Sequence, residues 1–245
     1  MPNNGSPPSE DTPWRKALTR SVASAGTWFV TEYPKLIFQR QQGQAHPIQS
    51  SIQIYRQTPW NHHLRGAVSS AAQRGSSAFL MFYGQAAISN AIFGTTTNSS
   101  WLSSGLAGFL GGGVSAVVHT LFEPLKIRHD QRLTWSIYKA SLRPMMWRHA
   151  LFDGTFFATT SLLQEYSYAT QFGVSALAAS TVNLTHDVWK TQFIRALPKR
   201  VRWITVVQGM TSTCFRQQLV VKAADLGFNW WVTGLLFAAL FHPAH

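Results

Sequence analysis

Three pairs of opposite charge recur along the chain with one spacing, an acid followed three residues later by a lysine. The pairs are Glu32 with Lys35, Glu123 with Lys126, and Asp187 with Lys190. Each pair follows an uncharged segment rich in small and apolar residues. Residues three apart lie on one face of a helix. Because a lone charge inside a membrane costs about 3 kcal/mol, such residues predict pairing between neighbouring helix ends.

The composition indicates a helical membrane protein. Asp, Glu, Lys and Arg make up 12% of the 245 residues, and none of them occurs from Gly75 to Phe122. As one helix that run would be about 70 Å long, more than twice a bilayer core of about 30 Å. Two spanning helices joined by a polar turn at Gly94–Ser100 fit better. Further uncharged runs cover Tyr166–His186 and Leu226–His245.

The net charge of +12 is spread over the ends of apolar runs. A nucleic-acid partner is not expected, because its binding site would gather the basic residues on one soluble face. Lipid headgroups and anionic solutes are the partners that this distribution favours. The single Cys214 allows no internal disulfide, and we interpret it as a small buried hydrophobic residue.

The charge pairs mark an internal repeat of helix, short amphipathic segment and helix, present three times. A second similarity follows each pair, in "LRGAVSSAAQR", "YKASLRPMMWR" and "VQGMTSTCFR". The predicted spanning helices are 14–40, 68–93, 101–130, 145–168, 171–195 and 211–241. The predicted organisation is a polar tail at 1–13 and repeats at 14–98, 99–169 and 170–245, all in one membrane domain.

Small residues four apart precede each charge pair and predict close helix contacts. They are Ser21 with Ala25, Gly108 with Gly112, and Ala176 with Ser180.

The stretch "LFEPLKIRHDQ", Leu121–Gln131, together with "VTEYPKLIFQ" and "THDVWKTQF", resembles the threefold signature of the mitochondrial carrier family. The resemblance covers nearly the whole chain after residue 13. It implies an all-α, multi-pass protein of the mitochondrial inner membrane, with six transmembrane helices in three pseudo-threefold repeats.

The resemblance also implies a ring of ion pairs on the matrix side of a central cavity. In that ring Glu32 faces Lys126, Glu123 faces Lys190, and Asp187 faces Lys35. The alternative is that these side chains are interfacial charges that extend to water.

Several features depart from the family pattern. The family's proline before each acid is replaced by Val30, Leu121 and Thr185. The family's second ring, on the even-numbered helices, has no acid–base pair in the matching stretches "AAISN", "TSLLQ" and "FNWWV". One of the two gates that alternating access requires is therefore missing from the pattern.

Other charges within the predicted spans are candidates for binding a substrate in the cavity. They are Arg74, Arg148, Asp153, Lys222 and Asp225. The alternative is local pairing of Arg148 with Asp153 and of Lys222 with Asp225. Arg74 has no sequence neighbour of opposite charge, so it is the best single candidate for a cavity residue.

The resemblance implies phospholipid sites, with bound cardiolipin or another phospholipid but no other cofactor. The candidates are Arg65, Gly66, Gln208 and Gly209, where bases and glycine N–H groups meet phosphate. His62 and His63 lack the spacing of further ligands that a metal site needs. No arrangement of catalytic residues is recognisable, so an enzyme is not expected.

Two functions remain open from the sequence. The departures favour an accessory, structural subunit of a large inner-membrane assembly, for example a respiratory-chain complex. The intact ring favours a carrier that exchanges small anionic metabolites across the inner membrane.

Overall fold

The computed structural model describes residues 12–41, 47–57, 67–94, 100–127, 134–197, 199, 201–210, 212–222, 224 and 227–241, but not the side chains of 30–41, 47, 51, 67–70, 125–127 and 241. Over this part of the chain the regular structure is helical and contains no strand, which confirms the predicted all-α class. The predicted tail lies mostly outside the described residues.

The described elements, in chain order, are α1 Pro13–Gln41, α2 Pro47–Gln57, α3 Ala67–Phe93, α4 Trp101–Ile127, α5 Trp135–Leu162, α6 Tyr168–Ala196, α7 Trp203–Gly209, α8 Ser212–Lys222 and α9 Phe228–Phe241. Serine hydroxyl groups cap the N-termini of two of the long helices. Ser167 Oγ accepts from the backbone N–H of Thr170, and Ser100 Oγ accepts from that of Ser103. Both satisfy helix donors that have no partner within the helix.

The long helices pack in a cyclic order. Consecutive contacts run α1, α3, α4, α5, α6 and α9, and α9 returns to pack on α1. A buried hydrogen bond from Thr233 to Thr27 crosses this last contact, at 3.1 Å. Additional contacts join α4 to α6 and α1 to α4. The bundle therefore encloses an interior.

Helix α4 turns polar side chains inward and apolar side chains outward. On α4 a stripe of aliphatic side chains recurs every three or four residues, each about half exposed: Leu102, Leu106, Leu110, Val114, Val117 and Leu121. The opposite face of the same helix buries Ser115, His119 and Glu123. This is the reverse of a water-soluble amphipathic helix, whose apolar face turns inward.

Glycine allows α4 and α5 to approach closely. A Cβ added to Gly112 would lie 2.5 Å from the carbonyl oxygen of His149, and one added to Gly108 would lie 2.7 Å from that of Asp153. On α1, Ser21 Oγ donates to the carbonyl of Gly75 at 2.7 Å. The close contacts predicted from small-residue spacing are confirmed at these two interfaces.

One described segment, Trp101–Pro124, is long and apolar enough to cross a membrane, with a mean hydropathy of 1.5. A second segment, Phe228–Leu240, is apolar but shorter. The remaining long helices carry too many polar side chains to meet the same criterion, and those side chains largely face the interior.

One predicted helix has clearly different bounds in the structure. The predicted helix 145–168 begins at Trp135 and ends at Leu162, because Lys139, Arg143 and Pro144 continue the helix. Within the predicted helix 211–241 the structure describes α8 and α9, and the described residues between them, 224 and 227, are π-helical. A Cβ added to Gly227 would lie 2.7 Å from Leu177.

Candidate functional site

The strongest polar feature of the interior is a charged cluster formed by Glu123, Arg148, Asp187, Lys190 and Lys222. Lys190 Nζ lies 3.1 Å from Glu123 Oε2, with both side chains at most 3% exposed. This pair joins α4 to α6, as the carrier resemblance implies. Its role in a gate stays a prediction.

Asp187 is the centre of the charged cluster. Its carboxylate lies 3.3 Å from Arg148 Nε, 3.3 Å from Lys190 Nζ and 2.5 Å from Lys222 Nζ. These contacts join α5, α6 and α8 through one side chain. The side chains of Glu32, Lys35 and Lys126, the other three members of the expected ring, lie outside the described residues.

The ion pairs of the charged cluster are withdrawn from solvent. Its members are between 2% and 8% exposed at their side chains. Removing one partner of a buried pair costs about 3–5 kcal/mol, because the other charge stays buried and uncompensated. The cluster therefore holds α4, α5, α6 and α8 in one relative arrangement.

The expected alternative of local pairing with Asp153 is wrong for Arg148, which binds Asp187. Asp153 instead accepts a hydrogen bond from Ser115 Oγ at 3.2 Å, across the α4–α5 contact. Lys222 also binds Asp187, but Asp225 lies outside the described residues, so its expected pair with Lys222 stays a prediction.

A pair of histidines lies beside the charged cluster, and the sequence did not predict it. The rings of His119 and His149 stack at 3.8 Å between α4 and α5. His119 also contacts Ser77 Oγ at 2.5 Å and Gln73 Nε2 at 3.2 Å, both on α3. The available signal was the position of His119 four residues before Glu123, on the same helix face.

A small cavity lies beside the charged cluster and holds Arg74. Its volume is about 30 Å³, which is room for one or two waters. It is lined by Ser24, Trp28, Arg74, Ser77, Ala78, Met81, His119, Arg148, His149, Phe152, Asp153 and Trp230. Arg74, Arg148 and Asp153 thus meet at one cavity, as candidate cavity residues, whereas Lys222 is held at Asp187.

An aromatic cluster fills the interior on the other side of the cavity. It consists of Phe82, Phe156, Phe172, Trp230 and Phe237, whose neighbouring ring centroids are 5.0–6.2 Å apart. Trp230 is 6% exposed and belongs to the packed interior, whereas Trp231 and Trp101 are exposed.

Arg20 lies over the aromatic cluster. Its guanidinium carbon is 4.5 Å from the centroid of Phe82, 4.8 Å from Phe237 and 5.5 Å from Phe172. Each contact is within the range of a cation–π interaction. The aromatic cluster is therefore covered by a cation from α1.

A groove of about 990 Å³ lies on the outer surface, where α5, α6 and α7 meet. Its basic side chains are Lys139, Arg143 and Arg202, and its aromatic side chains include Trp189 and Trp203. Cations beside apolar rings suit an anionic lipid headgroup with its acyl chains.

The candidate lipid residues Gln208 and Gly209 are exposed at the end of α7 and do not line this groove. Arg65 and Gly66 lie outside the described residues, as do His62 and His63.

Within the described ranges, no three His, Cys, Asp or Glu side chains gather as metal ligands would. Cys214 is buried, which confirms its expected environment.

No protein-family model matches the chain, and no curated protein is similar to it. The interpretation of the site therefore depends on its geometry. That geometry is a bundle with fixed interior ion pairs, a small polar cavity and a packed aromatic layer.

Proposed function

We propose that the protein is an accessory, structural subunit of a large assembly in the mitochondrial inner membrane, possessing a carrier-like bundle of six spanning helices in three repeats. The cyclic order of α1, α3, α4, α5, α6 and α9 supports the six-helix part of this proposal. The membrane location is supported by the aliphatic stripe on α4 and by the polar side chains of the interior.

Among the residues that the structure describes, the filled interior is the observation that carries the structural function. The charged cluster occupies one side of the cavity and the aromatic cluster the other, and about 30 Å³ remains between them. Typical small-molecule sites have about 300–1,000 Å³. A metabolite has no room there, whereas a bundle that serves as a fixed part of an assembly needs none.

The outer surface supports partners in the membrane. Aliphatic and aromatic side chains are exposed on α1, α4, α6 and α9. The basic, aromatic groove between α5 and α7 suits cardiolipin or another anionic phospholipid. Other subunits of the assembly would contact the remaining apolar faces.

The test is the native mass after mild detergent extraction of the inner membrane. We expect comigration with a large redox or ATP-synthesising complex that persists as detergent is increased. Arg74→Ala should leave that assembly intact, with Arg216→Ala on exposed α8 as the matched control. Migration near the chain's own 27.4 kDa plus detergent would contradict the proposal.

A carrier of small anionic metabolites is the second candidate. It is favoured by the pair of Glu123 with Lys190 and by the position of Arg74 and Arg148 at the central cavity. A carrier would have to open this cavity in another conformation. Uptake of anionic metabolites by reconstituted protein, lost in Arg74→Ala but kept in Arg216→Ala, would select this function.

A further inference from the structure

The central cavity contains an arginine whose charge is not compensated within the described part of the protein. Arg74 makes no ion pair with a described carboxylate, and its Nε is a buried donor without a hydrogen-bond acceptor there. Its guanidinium carbon lies 4.5 Å from the ring of Trp28, which covers one side of the group. The side toward the cavity is left for a ligand.

The other charges at the cavity already have partners. Arg148 is 3.3 Å from Asp187, and Asp153 accepts from Ser115. Neither carboxylate forms an ion pair with Arg74. An uncompensated charge at this depth costs about 3 kcal/mol, and an opposite charge held nearby offsets part of that.

The size of the cavity restricts what such a partner can be. A volume of about 30 Å³ admits a monatomic anion, which is close to water in size, but not a carboxylate metabolite or a phosphate ester. Besides Arg74, the lining offers hydroxyl groups from Ser24 and Ser77. These are donors, as an anion requires.

We propose that Arg74 binds one monatomic anion, chloride under physiological conditions, in the cavity between the charged cluster and the aromatic cluster. The anion compensates the guanidinium. This site is independent of whether the protein belongs to a larger assembly.

Thermal unfolding of the full-length protein in mild detergent tests the proposal, with sodium chloride compared to sodium gluconate at equal ionic strength. We expect a saturable rise in Tm with chloride, about 5 °C at about 100 times Kd. Bromide should give a similar rise, whereas gluconate, which is too large for the cavity, should give none.

Arg74→Gln should abolish the difference between chloride and gluconate, and Arg216→Gln, an exposed arginine on α8, should retain it. Equal Tm values of the unsubstituted protein in the two salts would overturn the proposal and leave water as the occupant. So would an unchanged chloride effect in Arg74→Gln. If that variant does not fold, anomalous scattering from bromide-soaked crystals decides, and no peak beside Arg74 refutes the site.

Discussion

The charged cluster and the aromatic cluster close the same interior by different means. The charged cluster takes its side chains from α4, α5, α6 and α8, and the aromatic cluster takes its own from α3, α5, α6 and α9. In the first, each contact needs a partner of opposite charge at about 3 Å. In the second, rings pack at centroid distances of 5.0–6.2 Å without a unique pairing.

The difference concerns tolerance to change. In the charged cluster two carboxylates pair with three cations. The loss of one carboxylate therefore leaves buried cations without a counter-charge that they share. In the aromatic cluster the loss of a ring leaves apolar neighbours that can shift. Substitutions that conserve shape should therefore be costly in the charged cluster and cheap in the aromatic cluster.

Asp187→Asn should have the largest effect. The substitution keeps the shape of the side chain but leaves Arg148, Lys190 and Lys222 without their shared carboxylate. We expect a loss of at least about 3 kcal/mol in stability, measured as a lower Tm in mild detergent. Glu165→Gln, an exposed carboxylate, is the matched control. Equal Tm values for the two variants would mean that the charged cluster does not stabilise the bundle.

Gly112→Ala should have an intermediate effect, because it separates α4 from α5 beside the charged cluster. The added Cβ would lie 2.5 Å from the carbonyl oxygen of His149, so the helices must move apart. We expect a loss of about 2 kcal/mol in thermal unfolding. At the neighbouring Gly113 the nearest atom would be Met146 Cε at 3.9 Å, so Gly113→Ala should cost nothing. A similar loss in both variants would show that the close approach at Gly112 is not the cause, because alanine favours a helix over glycine at either position.

Phe156→Leu should have the smallest effect of the three. Phe156 is completely buried among Phe82, Phe172 and Trp230, and leucine keeps most of its apolar volume. We expect a loss of about 1 kcal/mol by the same measurement. Phe215→Leu, at a partly exposed position on α8, provides the control. A cost above that of Asp187→Asn would reverse the comparison between the two clusters.

The sequence predicted the helices well where uncharged runs defined them. The bounds of α3, α4 and α6 differ from the predicted ones by at most three residues. The start of α5 was predicted too late, because its charged first turns resemble a connecting segment, although Arg143 is exposed on a continuous helix.

The charge pairing was predictable only in part. The resemblance to the carrier family implied the pair of Glu123 with Lys190, in which the acid of one repeat faces the lysine of the next. It did not imply Arg148 and Lys222 as partners of Asp187, because they come from α5 and α8, outside the acid–lysine motif. Such contacts arise from tertiary packing, which local spacing does not encode.

The contact of α9 with α1 has a consequence for biosynthesis. The hydrogen bond from Thr233 to Thr27 joins residues 206 positions apart, so the two ends of the chain meet last. Until α9 leaves the ribosome, the α1–α9 contact is missing from a nascent chain. The charged side chains of its interior are then exposed through an open seam between α1 and α6. Truncated or stalled products would therefore be recognisable to quality-control proteases by that seam, and only full-length chains would conceal it.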